Sequence, residues 1–316
     1  MNFELGLGCW ALGNDSYGEL SDAEASEILE NAYDNGIRFY DTSPTYGSGL
    51  SEIRLGKFLV NKQDVLIASK VGMLPHNGLK IPYNFSRKII ESSINESLKR
   101  LKRESIYLIQ LHSPIFQFER EYPEVFDIMA EIVNSGKVQK FGISLRSPSL
   151  IDSQSKLFDW KSYQYNLSIL DQRISDFIDK EYVNSRSDLH FIARTPLNFG
   201  FLTDSPPKYG KLSANHHLSA WSFKQLKDWE NRALIFRNLL SKYNLDVLTA
   251  ALRFPIDSGL ANLVIPGVSS VSELMKNISA FNSQKLDENM IRELTALFFK
   301  IEKEGINSPY AYQNSK

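Results

Sequence analysis

Eight short apolar runs, each followed by a stretch with helical patterning, constrain this chain more than any other feature of its sequence. Residues 5–12, 37–41, 65–69, 107–111, 138–144, 162–167, 190–193 and 262–265 read as strands. Most do not alternate polar with apolar residues, as expected for parallel strands covered on both faces. Residues 21–35, 51–60, 86–102, 123–135, 147–157, 171–184 and 223–243 carry helical patterning, and a helix over 271–281 follows the last strand. Ser21 with Glu24 fits a capping box, and Asn35-Gly36 and Ser135-Gly136 end two helices where a left-handed residue is wanted. A repeated strand–helix unit implies a parallel α/β sheet, open and doubly wound or closed into a barrel. Eight units close most economically as a (β/α)8 TIM barrel.

The remaining bulk properties agree with one barrel. At 316 residues, with 42% hydrophobic and 23% charged residues, the chain can bury a large core. No linker or composition shift divides residues 1–316, so a single domain is expected, with a polar and aromatic tail from about residue 305. The formal net charge of −1 supplies no field that would draw the chain to nucleic acid or an anionic membrane, which leaves a small molecule as the expected partner. The single cysteine, Cys9, excludes an intrachain disulfide. Residues 1–5 lack the basic and apolar segments of a signal peptide, and no run approaches the ~20 apolar residues of a membrane span. A cytoplasmic location is therefore expected. Nothing in the sequence fixes an oligomeric state.

Candidate chemistry gathers at three strand ends. Asp41, Lys70 and His112 close the second, third and fourth strands, on the face where barrel active sites are built, and Tyr46 lies on the loop just beyond Asp41. A charge there must be paired or solvated. Asp41 and Lys70 on adjacent strands can pair, and for each residue alone an ordinary structural role is sufficient. All four together bring an acid, a base, a phenol and an imidazole to one mouth. Carbonyl reduction needs hydride at carbon and a proton at oxygen. A phenol titrates near ~10 when unperturbed, and a neighbouring ammonium lowers that value. Lys70 would supply the ammonium, Asp41 would orient Lys70, His112 would position the substrate oxygen, and Tyr46 would donate or accept the proton.

These motifs occur in an order that resembles the aldo-keto reductase family. They are Gly6-Leu7-Gly8, Asp41-Thr42-Ser43 with Tyr46-Gly47, Gly49-Leu50-Ser51-Glu52 with Leu55-Gly56, and Ser69-Lys70-Val71-Gly72. Leu111-His112-Ser113, Gly142-Ile143-Ser144, Tyr163-Gln164-Tyr165-Asn166 and Ile265-Pro266-Gly267 complete the set, which spans residues 5 to 280. The resemblance implies a tetrad at Asp41, Tyr46, Lys70 and His112 and an NAD(P)-dependent oxidoreductase acting on an aldehyde, ketone or sugar-like alcohol. Its run from Tyr46 to Glu52 looks closest to bacterial branches acting on sugars. It also implies cofactor contacts. Ser144 and Gln164 match positions that hold the nicotinamide carboxamide, and Arg194 stands where many relatives stack an aromatic ring on the nicotinamide. Thr195, Pro196 and Leu197 resemble the start of a loop over the pyrophosphate, and Asn277 matches an adenine contact. Family frequency favours NADP. The positions matching the 2′-phosphate site are Gly267, Ser269 and Glu273, however, and Glu273 would repel a phosphate, which leaves NAD open.

Two other classes fit parts of the pattern. A nicotinamide-nucleotide-sensing module would keep the barrel and the cofactor but has no use for Tyr46. A Schiff-base barrel would use Lys70 as nucleophile, whereas Asp41 and Tyr46 suit proton transfer better. Elsewhere the expectations are bland. His216 and His217 read as exposed loop residues without a third metal ligand, so no metal is expected. His76 and His190 have no nameable partner. The run from Lys99 to Arg103 reads as a solvated helix end. Trp10, Phe116 and Phe118 are divided between pocket wall and core.

Overall fold

The computed structural model describes residues 4–303 apart from 15–16, 76–81, 116, 152–157 and 212–215. Eight strands pair in chain order, every pair parallel: β1 Leu7–Gly8, β2 Phe39–Asp41, β3 Leu66–Val71, β4 Ile106–His112, β5 Val138–Ser144, β6 Ser162–Asn166, β7 His190–Arg194 and β8 Leu263–Ile265. Bridges from Leu5 to Val264 and from Gly8 to Gly267 bring β8 against β1, so the sheet curls into a (β/α)8 barrel. The first strand is shorter than its apolar run because Ala11–Gly13 turn into a 3-10 helix. Glycine is required in that strand: a Cβ on Gly6 would stand 3.0 Å from the Phe39 carbonyl oxygen.

The helices are α1 Asp22–Asp34, α2 Leu50–Phe58, α3 Arg87–Leu101, α4 Phe118–Glu121, α5 Val125–Asn134, α6 Lys180–Ser185, α7 Phe223–Ser241, α8 Val247–Asp257, α9 Val271–Ser283 and α10 Glu288–Lys303. The Ser21 capping box on α1 forms as its sequence predicts. One expectation needs correction, and two helices go beyond the expected set. Residues 171–184 are not one helix: Ser168 Oγ accepts from the Leu170 and Asp171 amides, and the Asp171 carboxylate holds Arg173, so local side-chain bonds break the helix into a 3-10 turn, Arg173–Asp176, and α6. α8 was not among the expected helices, and every residue from Val247 to Pro255 in it is buried. α10 lies beyond the eighth unit. The expected helix over 147–157 extends outside the described residues.

Within the barrel, Phe39, Ala68, Leu108, Ile192, Leu263 and Ile265 form an apolar plug, and the larger core lies between sheet and helices. Burying each large side chain contributes about 1.5–3 kcal/mol. Side chains alternate along a strand, so the next inward position above the plug falls two residues on. On four strands it is polar: Asp41 above Phe39, Lys70 above Ala68, Gln110 above Leu108 and Arg194 above Ile192, and Gln164 on β6 joins this layer through its bond to Asp41. Below the plug, Lys140 Nζ donates to the Tyr107 hydroxyl over 3.0 Å, and that hydroxyl is hydrogen-bonded to His190 Nε2 at 2.6 Å. His190 thus has a partner after all, and burial together with Lys140 pulls its imidazole down to about 4. Among the described residues no helix is long and apolar enough to cross a membrane.

Candidate active site

Three of the four expected residues are joined directly. Lys70 Nζ lies 2.5 Å from Asp41 Oδ1, 2.8 Å from the Thr42 carbonyl oxygen and 3.2 Å from the Tyr46 hydroxyl. An ammonium has three donors, and all three are used. Lys70 is 1% exposed and Asp41 3%, so neither charge could persist there without the other. Burial pulls the Lys70 ammonium down, but Asp41 and Tyr46 more than offset it and its pKa lies above the ordinary lysine value. Tyr46 departs from the simple expectation. Lys70 and Arg194 do favour its phenolate, but burial outweighs them and holds the phenol above its usual range. At neutral pH it is a protonated donor.

The fourth residue stands beside this group. The His112 ring lies edge-on to Tyr46 with centroids 6.4 Å apart, and its Nδ1 is 3.3 Å from Ser43 Oγ. Ser43 is itself tied to Thr45 at 2.9 Å. The motif containing Ser43 was visible in the sequence, but its contact with His112 was not.

The loop that carries Tyr46 is held by backbone approach. Gly47, Ser48 and Gly49 have φ of 58°, 52° and 95°, three left-handed residues in succession. A Cβ on Gly47 would fall 2.0 Å from the Gly13 carbonyl oxygen. Glycine is therefore required there both for its φ and for lack of space. Below the loop, Glu52 is fully buried and accepts from Ser69 at 2.6 Å and from Arg100 at 2.7 Å. Arg100 is consequently not part of a solvated helix end: it bridges α3 to the loop and to the residue preceding Lys70.

The aromatic and histidine side chains near the mouth also differ from the bland reading. Trp10 lies 6.1 Å from Tyr46, ring to ring. His217 packs against Trp10, Tyr17 and Phe199 at 5.1, 4.4 and 5.1 Å, with His216 beside it. The two histidines are half-buried, not exposed, and they bring the loop after β7 against the loop after β1. The only advance signal was the length of that β7 loop. Phe118 belongs to the core, 5.3 Å from Phe85, while Phe116 and His76 lie outside the described residues. Among the described residues no three His, Cys, Asp or Glu side chains are grouped to hold a metal ion.

The residues expected to meet a cofactor fall on the neighbouring strand ends. Ser144 donates to Gln164 Oε1 at 2.8 Å, and Gln164 Nε2 donates to Asp41 Oδ2 at 2.8 Å. Arg194 donates to the Leu145 carbonyl oxygen at 3.1 Å. Thr195, φ 59°, opens the following loop, donates to Asn166 at 3.2 Å, and leads through Pro196 and Leu197 into a turn over Asn198–Gly200. Beyond β8, a Cβ on Gly267 would meet only the Gly8 carbonyl oxygen, at an ordinary contact of 3.9 Å. The Glu273 carboxylate accepts from both the amide and the hydroxyl of Ser269, at 2.7 and 2.9 Å, so the turn's amide is already capped. Asn277 is 4% exposed, and its Nδ2 has no hydrogen-bond partner among the described residues. Tyr17 lies between the two ends of this groove: burial raises its phenol, and Tyr46 and Glu273 each add to the rise.

Residues 4–298 match the profile of the aldo/keto reductase family. The chain belongs to the aldo-keto reductase family. Members are oxidoreductases that use nicotinamide cofactors. An uncharacterised oxidoreductase of Bacillus subtilis is 28% identical over 297 residues, covering 92% of this chain and 91% of that one. The D-threo-aldose 1-dehydrogenase of a Pseudomonas species is 28% identical, covering 86% and 87%. Among solved structures, the glycerol dehydrogenase of Gluconobacter oxydans shares the fold with a TM-score of 0.76 at 22% identity, covering 96% of this chain and 92% of that one.

Proposed function

We propose that this aldo-keto reductase moves hydride between nicotinamide and an aldehyde, a ketone or a sugar-like alcohol, with Tyr46 exchanging the proton. The observation that carries this reading is Lys70, bonded at once to the Asp41 carboxylate and the Tyr46 phenol at the barrel mouth. A reduced nicotinamide, when bound, supplies the hydride. Tyr46 donates its proton to the carbonyl oxygen, and the Lys70 ammonium stabilises the phenolate left behind. His112, its ring held through Nδ1 by Ser43, orients the carbonyl oxygen from Nε2. In the reverse direction the phenolate accepts the alcohol proton.

Two observations fit a dinucleotide here: the unpartnered, buried Nδ2 of Asn277, suited to an adenine nitrogen, and the lack of a side chain at Gly267, whose Cβ would meet nothing nearer than the Gly8 carbonyl oxygen at 3.9 Å. Ser144 and Gln164 would take the carboxamide, Arg194 would stack its guanidinium on the nicotinamide ring, and Thr195, Pro196 and Leu197 would border the pyrophosphate. Glu273 occupies the amide and hydroxyl of Ser269 that a 2′-phosphate would seek, and this favours NAD(H). Sugar-like substrates suit the wall formed by Trp10, Tyr17 and His217, and two relatives are named for aldose and galactose oxidation.

Fluorescence titration with NADH and with NADPH tests the reading, followed by a panel of aldehydes, ketones and aldoses monitored at the nicotinamide absorbance. Binding of NADH with turnover of at least one aldose or small aldehyde is expected. Failure to bind either cofactor overturns the reading, and tighter binding of NADPH overturns the role given to Glu273.

A further inference from the structure

The polar layer of the barrel contains one residue that the reaction as described does not use. Gln110, on β4, is fully buried, pairs in register with Lys70 on one side and Gly142 on the other, and lies directly above the apolar plug residue Leu108. Its Nε2 donates to Asp41 Oδ2 at 3.2 Å. Its Oε1 is buried with no partner among the described residues. A buried amide with an unsatisfied acceptor costs stability that an apolar residue would not, so the fold alone does not account for glutamine here. What it does provide is a second amide donor on Oδ2, the carboxylate oxygen that Gln164 also holds.

That doubling matters because Gln164 has two demands on it. In this structure both ends of its amide are occupied within the protein, Nε2 by Asp41 and Oε1 by Ser144. If Ser144 and Gln164 are to receive a carboxamide, at least one of these bonds must exchange. Without Gln110, releasing Nε2 would leave one oxygen of a carboxylate that is 3% exposed without a donor, and stranding a buried charge is costly.

We propose that Gln110 is a positioning residue that keeps Asp41 Oδ2 bonded, so that Gln164 can turn to the nicotinamide carboxamide without disturbing the Asp41–Lys70–Tyr46 chain. Gln110 itself touches neither cofactor nor substrate. The proposal rests on the functional reading above, and it makes cofactor affinity depend on a residue buried beneath the binding groove.

The test is Gln110→Met, close in size and without either amide group, measured alone and in an Asp41→Asn background, where no charge remains to be stranded. Affinities for NADH and NADPH are read by fluorescence in the binary complex, without turnover, and thermal melts confirm folding. For Q110M the Kd of the cofactor should rise roughly tenfold or more, on the scale of one hydrogen bond to a charged group. The KM for that cofactor should rise with it, and kcat should change by less. In the D41N background the same substitution should change the Kd by less than about twofold. An unchanged Kd in Q110M, or an equal loss in both backgrounds, overturns the proposal, because either result reduces Gln110 to packing. If Q110M does not fold, Gln110→Leu replaces it with the same expectations of loss and of rescue, while Gln110→Glu, which retains a carboxyl donor when protonated, should stay closer to the parental Kd. If the parent protein binds neither cofactor, the functional reading itself has failed, a result separable from parental binding left unchanged by Q110M.

Discussion

Replacing Lys70 by methionine separates the stability of the site from its chemistry. The substitution removes a cation with three partners, Asp41 at 2.5 Å, the Thr42 carbonyl oxygen at 2.8 Å and Tyr46 at 3.2 Å, while keeping most of the volume. Asp41, 3% exposed, would be left charged and without its counterion. Breaking a buried pair from one side costs about 3–5 kcal/mol. Gln110 and Gln164 still donate to the other carboxylate oxygen, which places K70M at the lower end, about 3 kcal/mol. At roughly 1.5 °C per kcal/mol for a domain of about 300 residues, the midpoint of thermal unfolding should fall by about 4–5 °C. Adding Asp41→Asn removes the stranded charge, and the double variant should regain most of that loss. Turnover behaves differently: both K70M and K70M/D41N should lose a factor of about 10² or more, because neither leaves an ammonium beside the Tyr46 phenolate. Calorimetry or circular dichroism melts, alongside reduction of whichever carbonyl the panel identifies, measure the two quantities. A K70M protein as stable as the parent, or one that D41N does not rescue, would refute the stranded-charge argument. Parental turnover in a folded K70M would refute the role of the ammonium.

Tyr46→Phe should cut turnover by about 10²–10⁴ with little change in cofactor affinity or melting temperature, since Lys70 keeps Asp41 and Thr42; parental turnover would remove the phenol from the reaction. Glu273→Arg should release the Ser269 amide and raise affinity for NADPH over NADH by roughly tenfold or more, read by fluorescence titration, and an unchanged ratio would place Glu273 away from the ribose. Gly47→Ala should displace the Tyr46 loop, because a Cβ would stand 2.0 Å from the Gly13 oxygen; activity should fall even where NADH still binds, and a fully active variant would show that the loop can yield. The His190 imidazole is depressed in the folded protein to about 4 from 6.5, so the unfolded chain binds the extra proton first as pH falls. Its contribution is intact above pH ~6.5 and is lost between there and pH ~4, at most about 3 kcal/mol. Melts across this window should show the slope, and His190→Gln should flatten it; an unchanged slope would assign the acid loss to other groups.

Much of this molecule was legible from local pattern. The strand at 138–144 was read with its observed bounds, and Asp41, Lys70 and His112 were placed at strand ends because a short apolar run and the residue that follows it define the mouth of a parallel barrel. Two stretches were not read correctly. α8 is buried on every side, and the stretch after Ser168 is decided by bonds from Ser168 and Asp171 that compete with the helix. Cofactor positions could be named by resemblance, but their present partners could not: Glu273 caps Ser269, and Gln164 is engaged with Asp41.

The sequence by itself determined the repeated unit, the closure of eight such units and the chemistry available at the barrel mouth, because strand period, helix capping and side-chain type are properties of neighbouring residues. Tertiary structure alone decided what that chemistry meets. Gln110 was one more residue inside an apolar run until register set it beside Lys70 and Asp41, His217 was a loop histidine until folding laid it on Trp10 and Tyr17, and Tyr46 was a phenol expected to be lowered by Lys70 until burial raised it instead. Each depends on segments dozens of residues apart arriving at a few ångströms, and that distance is written only in the closed barrel.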